Sequence, residues 1–398
     1  MAQTFPGFTL QAQNTQAALK SRLIVDAIAD CKYGNKAPMT AVYDQYVNSP
    51  VVGNYTPLTG SAITEITGTQ SGYLIDQIKA AAFAYDPIQN LQVQDPEWAR
   101  SVEDDGGYQL ARNVDQFGLQ KAIAGAYNNI TGVGTLTPSA LRDLVASMRT
   151  RISSARGNAM ERKWIAMDPA TLALIPNDYL QVQTGGTADL ALMEGCNGFI
   201  GKSYQGFDVY ETNEYLYSVV LTMGTNPTAG QVLTFFNGSF TVTFVAALTG
   251  AANEVLIDGG GVAGTQNNLE ALLNQAAGAG STYGAMTAED SSDFKNAQFV
   301  CGNFSGNAAT LSRYGRIDAA TNVTSATLGN QTHTMVGGVY GALDITMLEM
   351  PMLVDSQYVT TAGNATAART LQWIEVFGGG VYHRRKKDLV AAAGIIVS

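Results

Sequence analysis

Leu19, Leu23, Ile24 and Ile28 recur at three- and four-residue spacing, which predicts a helix over about Thr15–Asp30 inside an otherwise loop-rich stretch, 1–50. The next segment, Val51–Gln70, has no apolar face of its own. It is Thr, Gly and Ser with scattered Val, Ile and Tyr, and reads as an extended arm or long hairpin that finds its pairing partners elsewhere. From Asp104 a helical stripe returns as Val114, Phe117, Ala122, Ile123, Ala126 and Ile130, on a helix of about 24 residues. Glu103, Asp104 and Asp105 fall in its first turn, where carboxylates suit the positive end of the helix dipole. A second helix is marked by Thr137 as N-cap and Pro138 at the first position, with Leu141, Leu144, Val145, Met148 and Ile152 on one face. Arg149, Arg151 and Arg156 crowd its C-terminal end.

The pattern then shifts to short strands. Lys163–Met167 reads as a buried strand, with Asp168-Pro169 capping a short helix to Leu174. Gly195–Tyr210 reads as an extended pair in which Phe207 and Val209 share a face. Within 231–277, Asn237-Gly238 lies between two runs of aromatic and β-branched residues, the signature of a two-residue hairpin turn. Glu254–Ile257 is a third apolar run ending in three glycines, and Leu269, Leu272 and Leu273 follow at helical spacing. The stretch up to Thr332 is rich in Asn, Thr, Ser and Gly, with a short β pattern at Gln298–Val300. Met335–Met350 resumes a core-like pattern. Leu371–Val376 is a β-rich run that ends in Phe377-Gly378-Gly379-Gly380, before His383, four basic residues (Arg384–Lys387) and an apolar tail. The elements on either side of 221–331 read as two parts of one domain that this island interrupts.

Composition narrows what such a chain can be. At 398 residues there is room for two or three cores, and only 14% of residues are charged against roughly 25% in ordinary soluble domains. A weakly charged surface of small side chains suits repeated contact between copies. The net charge of −10, from 23 basic and 33 acidic residues, argues against tight sequence-specific nucleic-acid binding, because phosphate contacts supply most of that affinity. Cys31, Cys196 and Cys301 match neither a metal spacing nor a disulfide framework. No basic stretch followed by an apolar run opens the sequence, and no run approaches 18 apolar residues. A secretory leader and a transmembrane helix are therefore not expected, and folding in a reducing cytoplasm is.

Candidate chemistry is sparse. Gly259-Gly260-Gly261-Val262-Ala263-Gly264 matches the GxGxxG dinucleotide fingerprint, but that motif needs a parallel βαβ unit and an acidic residue after the next strand, where this chain has an Ala/Gly-rich loop. His333 and His383 are the only histidines, and neither lies near a nucleophile-elbow pattern. The basic cluster after His383 reads as structural or inter-subunit. No catalytic, cofactor-binding or metal-binding residue is assigned, and no enzymatic activity is expected.

The order of elements nevertheless carries a resemblance. An extended arm, a long helix and a Thr-Pro-capped helix are followed by KWIAMDPATLALIP (Lys163–Pro176) and GFIGKSYQGFDVYETNEY (Gly198–Tyr215). MLEMPMLVDSQYV (Met347–Val359) and WIEVFGGGVYHRRKKDLVAAAG (Trp373–Gly394) close the chain. This resembles the major capsid proteins of tailed bacteriophages with the HK97-like fold, in particular the podophage-type branch with an inserted domain. The resemblance implies an α+β fold with a long spine helix, peripheral and axial domains, an N-terminal arm and an E-loop that reaches over neighbouring subunits. The expected division is 1–50 for the arm and first helix, 51–94 for the E-loop-like segment and 95–220 for the spine helix and shell core. The inserted β-rich domain is 221–331, and 332–398 returns to the shell domain. The implied role is a self-assembling subunit of an icosahedral shell around double-stranded DNA. Its implied partners are copies of itself in hexamers and pentamers, scaffolding, portal or decoration proteins, and packaged DNA in non-specific contact, with no membrane. Its place would be the virion, assembled in the bacterial cytoplasm. A tail-tube or surface-array subunit stays open as an alternative, because the Asn-Gly module resembles modules found there.

Overall fold

The computed structural model describes residues 24–29, 41–47, 68–74, 77–85, 98–156, 161–175, 199–349, 355–359, 368–383 and 386–396. Outside these lie Thr15–Leu23 of the first expected helix, Val51–Thr67 of the arm, Cys31, Cys196, Arg384 and Arg385. The chain divides into two compact units. One takes in 29–110 and 343–384; the other comprises 19–28, 111–342 and 385–398. Among the described residues no helix is long and apolar enough to cross a membrane.

In the first unit, Ala41–Val47 pairs antiparallel with Gly68–Leu74 as a two-stranded ribbon. A separate four-stranded antiparallel sheet is organised on one long strand, Ala368–His383. Gln77–Tyr85 runs along one of its edges, and Leu343–Glu349 and Asp355–Val359 share the other. The expected break at Gly378-Gly379-Gly380 does not occur. Gly378 and Gly379 are paired on both sides, to Leu348 and Met347 and to Ile78 and Gln77, so ladder hydrogen bonds carry the strand through residues of low β-propensity.

The long helix runs over Trp98–Gly125, 28 residues. It begins before the expected start, so Glu103, Asp104 and Asp105 lie beyond the first turn, which carries no acid. It also ends earlier. Asn128–Ile130 forms a strand parallel to Val390–Ala392, and pairing with a distant segment overrides the helical spacing of Ile130. The buried face in the second unit is Ala111, Val114, Leu119, Ala122 and Ala126, with Asp115 and Gln116 buried among them; Phe117 and Ile123 are only half-buried.

The second helix, Pro138–Arg156, follows its sequence closely. Thr137 Oγ1 accepts from the Ala140 N–H at 3.2 Å, and Leu141, Leu144, Val145, Met148 and Ile152 are all buried. Five such side chains contribute on the order of 10 kcal/mol of apolar transfer free energy. Arg149 and Arg151 do not serve their own helix end; they donate to the carbonyls of Gln205 (3.2 Å) and Asn129 (2.8 Å).

This helix packs on an eleven-stranded sheet centred on Thr332–Val339. That strand pairs along one edge with Leu389–Ile396 and along the other with Lys163–Met167, which lies parallel to Phe207–Glu211 in turn. Phe199–Tyr204 closes the sheet as a hairpin through Gln205-Gly206. The strands approach closely at Gly338, where a Cβ would fall 2.7 Å from Leu389 Cδ2, and Trp164 Nε1–H donates to the Val339 carbonyl at 3.2 Å. On the far side Leu216–Met223 pairs with Ala308–Tyr314 and Ala326–Leu328, so residue 221 lies within a strand of this sheet.

Val232–Phe235, Phe240–Val245, Glu254–Leu256 and Ala320–Thr321 form a separate four-stranded sheet. Its hairpin is not the expected two-residue turn. Phe235 pairs with Phe240, leaving a four-residue loop, Phe236–Ser239, with positive φ at Phe236 (55°), Asn237 (55°) and Gly238 (90°). Packing accounts for the longer loop. Phe236 stacks edge-on with Phe294 and Phe299 and lies under the Arg313 guanidinium, 3.9 Å from the ring centre, a position a tight turn would not give it. Leu269, Leu272 and Leu273 are buried on the helix Val262–Leu273, as their spacing predicts. The β pattern at Gln298 shifts to Val300–Cys301, because Gln298 sits at φ 49°.

Candidate functional site

The glycine-rich loop has more of the fingerprint's geometry than its sequence context predicts, since Glu254–Leu256 does lie parallel to Phe240–Val245. The connection between them contains no helix, and the loop is filled from within. Asp258 turns its carboxylate back over the head of the Val262–Leu273 helix, where Oδ1 accepts from the Gly260 N–H at 3.0 Å. A Cβ on Gly264 would fall 1.7 Å from Asp258 Oδ2 and 2.7 Å from its Cβ, so the third glycine makes room for this side chain. The Asp258 N–H donates to Thr265 Oγ1 (2.9 Å), Thr265 donates to Asn226 Oδ1 (2.8 Å), and Asn226 Nδ2 donates to the Asp258 carbonyl (2.8 Å). The chain's own carboxylate thus occupies the place a ligand phosphate takes at such a helix start.

His333 is buried in the main sheet with its Nε2 3.2 Å from Asp168 Oδ1, and both side chains are excluded from solvent. Asp168 also caps the helix Pro169–Ala173, Oδ2 accepting from the Thr171 N–H at 3.4 Å. Burial alone would raise its pKa, but the close approach of His333, with Thr171 and Tyr217, outweighs burial and holds it at about 2. The Tyr217 and Tyr215 rings lie 4.7 and 5.7 Å from the imidazole. Tyr215 donates to the Ala166 carbonyl (2.8 Å) and accepts from the Val336 N–H (3.2 Å). The pair joins the end of Lys163–Met167 to Thr332–Val339, and the Tyr215 and Tyr217 rings add a third segment beside it.

Sequence reasoning passed over a third cluster. Glu214, in the link before Leu216–Met223, accepts from Arg112 Nε (2.8 Å) and Gln116 Nε2 (2.6 Å) on the long helix. Gln298 Nε2 reaches Asn113 Oδ1 and Gln116 Oε1 at 3.2 and 3.3 Å. The signal available was polar residues at 112 and 116, one turn apart, inside an apolar stripe. Of the basic cluster, Lys387 is exposed with its ammonium 5.9 Å from the Tyr127 ring centre, and His383 ends the long strand. Burial pushes the Cys301 thiol up to about 12, which leaves it inert. Among the described residues no group of three or more His, Cys, Asp or Glu is placed to hold a metal ion.

No family model and no curated protein matches the chain. Among solved structures it aligns with that of Mycobacterium phage Che8 at 13% identity, covering 93% of this chain and 91% of that one with a TM-score of 0.46. The capsid of the cyanophage P-SCSP1u aligns at 12% identity over 92% and 87% of the two chains, TM-score 0.45. A virus-like particle from Pyrococcus furiosus aligns at 5% identity over 98% and 100%, TM-score 0.43.

Proposed function

We propose that this chain is a self-assembling structural subunit of an icosahedral bacteriophage shell with an HK97-like α+β fold, and that it has no catalytic role. The observation that carries the reading is the ribbon Ala41–Val47/Gly68–Leu74, which hydrogen-bonds to no other strand among the described residues. A two-stranded ribbon is marginal alone, and its open edges are stabilised by a neighbour. The strings that carry the sequence resemblance support the same reading. Lys163–Pro176 supplies a fully buried strand and an Asp-capped helix, Gly198–Tyr215 a hairpin, and Trp373–Gly394 the long strand together with a central strand of the main sheet.

In this reading 1–50 is an arm, 51–94 an E-loop-like segment, 95–220 the spine and shell core, 221–331 an inserted β-rich domain that shares the strands Val300–Cys301, Ala308–Tyr314 and Ala326–Leu328 with the main sheet, and 332–398 the return of the shell domain. The partners are copies of the chain in hexamers and pentamers, with scaffolding, portal or decoration proteins beside them and non-specific contact with packaged DNA. The subunit belongs in the virion after assembly in the bacterial cytoplasm. The test is negative-stain microscopy of the purified chain, expressed with and without a scaffolding partner. Closed shells are expected; open tubes or a strictly monomeric species under all conditions would overturn the reading.

A further inference from the structure

The short helix Ile24–Ile28 is held on the long helix by two devices one turn apart. Asp115 directs its carboxylate at the leading backbone amides of the segment, Oδ2 accepting from the Ile24 N–H at 3.2 Å and Oδ1 from the Val25 N–H at 3.0 Å. Gly118 leaves the notch that Val25 fills, since a Cβ there would fall 2.6 and 2.7 Å from its two methyl carbons. Ile24, Val25 and Ile28 are buried, and the Gly341 N–H donates to the Ile28 carbonyl at 3.3 Å. Among these contacts, only the Asp115 carboxylate can change its charge.

We propose that this contact is a pH-sensitive clasp, in which the protonation of Asp115 sets how tightly the chain at 24–28 is held on the long helix. The carboxylate is only 5% exposed, and its two bonded partners are neutral amides. Two further carboxylates face it: Asp26 on the clasped segment, and Glu214, which Arg112 and Gln116 engage from the same helix face. Burial pushes Asp115 up to about 7. The two amide bonds pull the other way, and Glu214 and Asp26 add to the rise. With the segment released, Asp115 faces water and returns toward the ordinary range near 3.8. The docked state therefore holds its proton more tightly. Docking is strongest in acid, weakens as pH climbs from about 4 to about 7, and levels off above that.

Amide hydrogen exchange on the full chain, read by mass spectrometry as protection relative to the intrinsic rate at each pH, tests this. Protection of peptides spanning 24–28 is expected to fall about tenfold per pH unit between pH 5 and 7, while the strand Lys163–Met167 stays unchanged. Asp115→Asn keeps an acceptor for the amides but cannot ionise, and is expected to flatten the profile. Gly118→Ala, which displaces Val25, is expected to leave 24–28 unprotected at every pH with Lys163–Met167 still protected. A flat wild-type profile, a slope that survives Asp115→Asn, or loss of strand protection in Gly118→Ala would each overturn the clasp. None of these outcomes depends on whether the chain builds shells.

Discussion

At the residue scale, the buried polar groups make the sharpest demands on the sequence. Asp168 combines a helix cap with a contact to His333, and its depressed pKa makes that combination pH-dependent. Its stabilisation is complete above the ordinary carboxylate pKa near 3.8 and is lost as pH falls through about 2. Asp168→Asn is expected to cost on the order of 2–3 kcal/mol at pH 7 and distinctly less at pH 3. Urea denaturation midpoints at the two pH values check this, and an equal cost at both would remove His333 from the account. Gly264 reverses a familiar rule. Gly→Ala inside a helix normally stabilises by about 1 kcal/mol, but here the added methyl meets Asp258 from its Cβ outward. Gly264→Ala is expected to destabilise by about 1–3 kcal/mol in a thermal melt. A gain in stability would mean that Asp258 swings clear at little cost.

At the element scale, what was legible divides by the range of the interaction that sets it. The helix Pro138–Arg156 and the unit Lys163–Ala173 could be read directly, because cap, proline and apolar period act within a few residues of one another. The end of the long helix, the glycine stretch in Ala368–His383 and the hairpin loop could not, because each is set by a distant partner: Val390–Ala392, the flanking strands, and Phe294 with Arg313. Asp115 and Glu214 were illegible for the same reason, since their partners are the amides of 24–25 and the Arg112 guanidinium. The hairpin offers a direct check. Gly238 sits at φ 90°, which a β-branched residue strongly disfavours, so Gly238→Val is expected to cost about 1–3 kcal/mol and to loosen the Phe235–Phe240 pair in exchange experiments.

At the scale of the whole molecule, the segment 225–324 returns beside its point of departure, with the Gly224 N–H donating to the Ser325 carbonyl at 3.1 Å, and it carries both the separate four-stranded sheet and two strands of the main sheet, Val300–Cys301 and Ala308–Tyr314. Excising it and bridging Gly224 to Ser325 with a short linker keeps Leu216–Met223 paired with Ala326–Leu328 but strips away its ladder to Ala308–Tyr314. The remaining chain is expected to melt cooperatively by circular dichroism, at a lower temperature than the full chain because a main-sheet ladder is lost, while its assembly, scored by microscopy, changes. A shortened chain with no cooperative transition would show that 225–324 belongs to the core rather than to an insertion.

The strand Leu389–Ile396 lies between Thr332–Val339 on one edge and the two short strands at Asn128–Ile130 and Gly134–Thr135 on the other. More than 250 residues separate it from those early partners. On the ribosome the main sheet therefore cannot close until residue 396 has been made, and Asn128–Ile130, Gly134–Thr135 and one edge of Thr332–Val339 wait without this partner until then. Completion of the main sheet waits on the end of synthesis in this chain. A nascent subunit is an aggregation hazard for as long as translation lasts, and its window of exposure is set by elongation rate rather than by native stability.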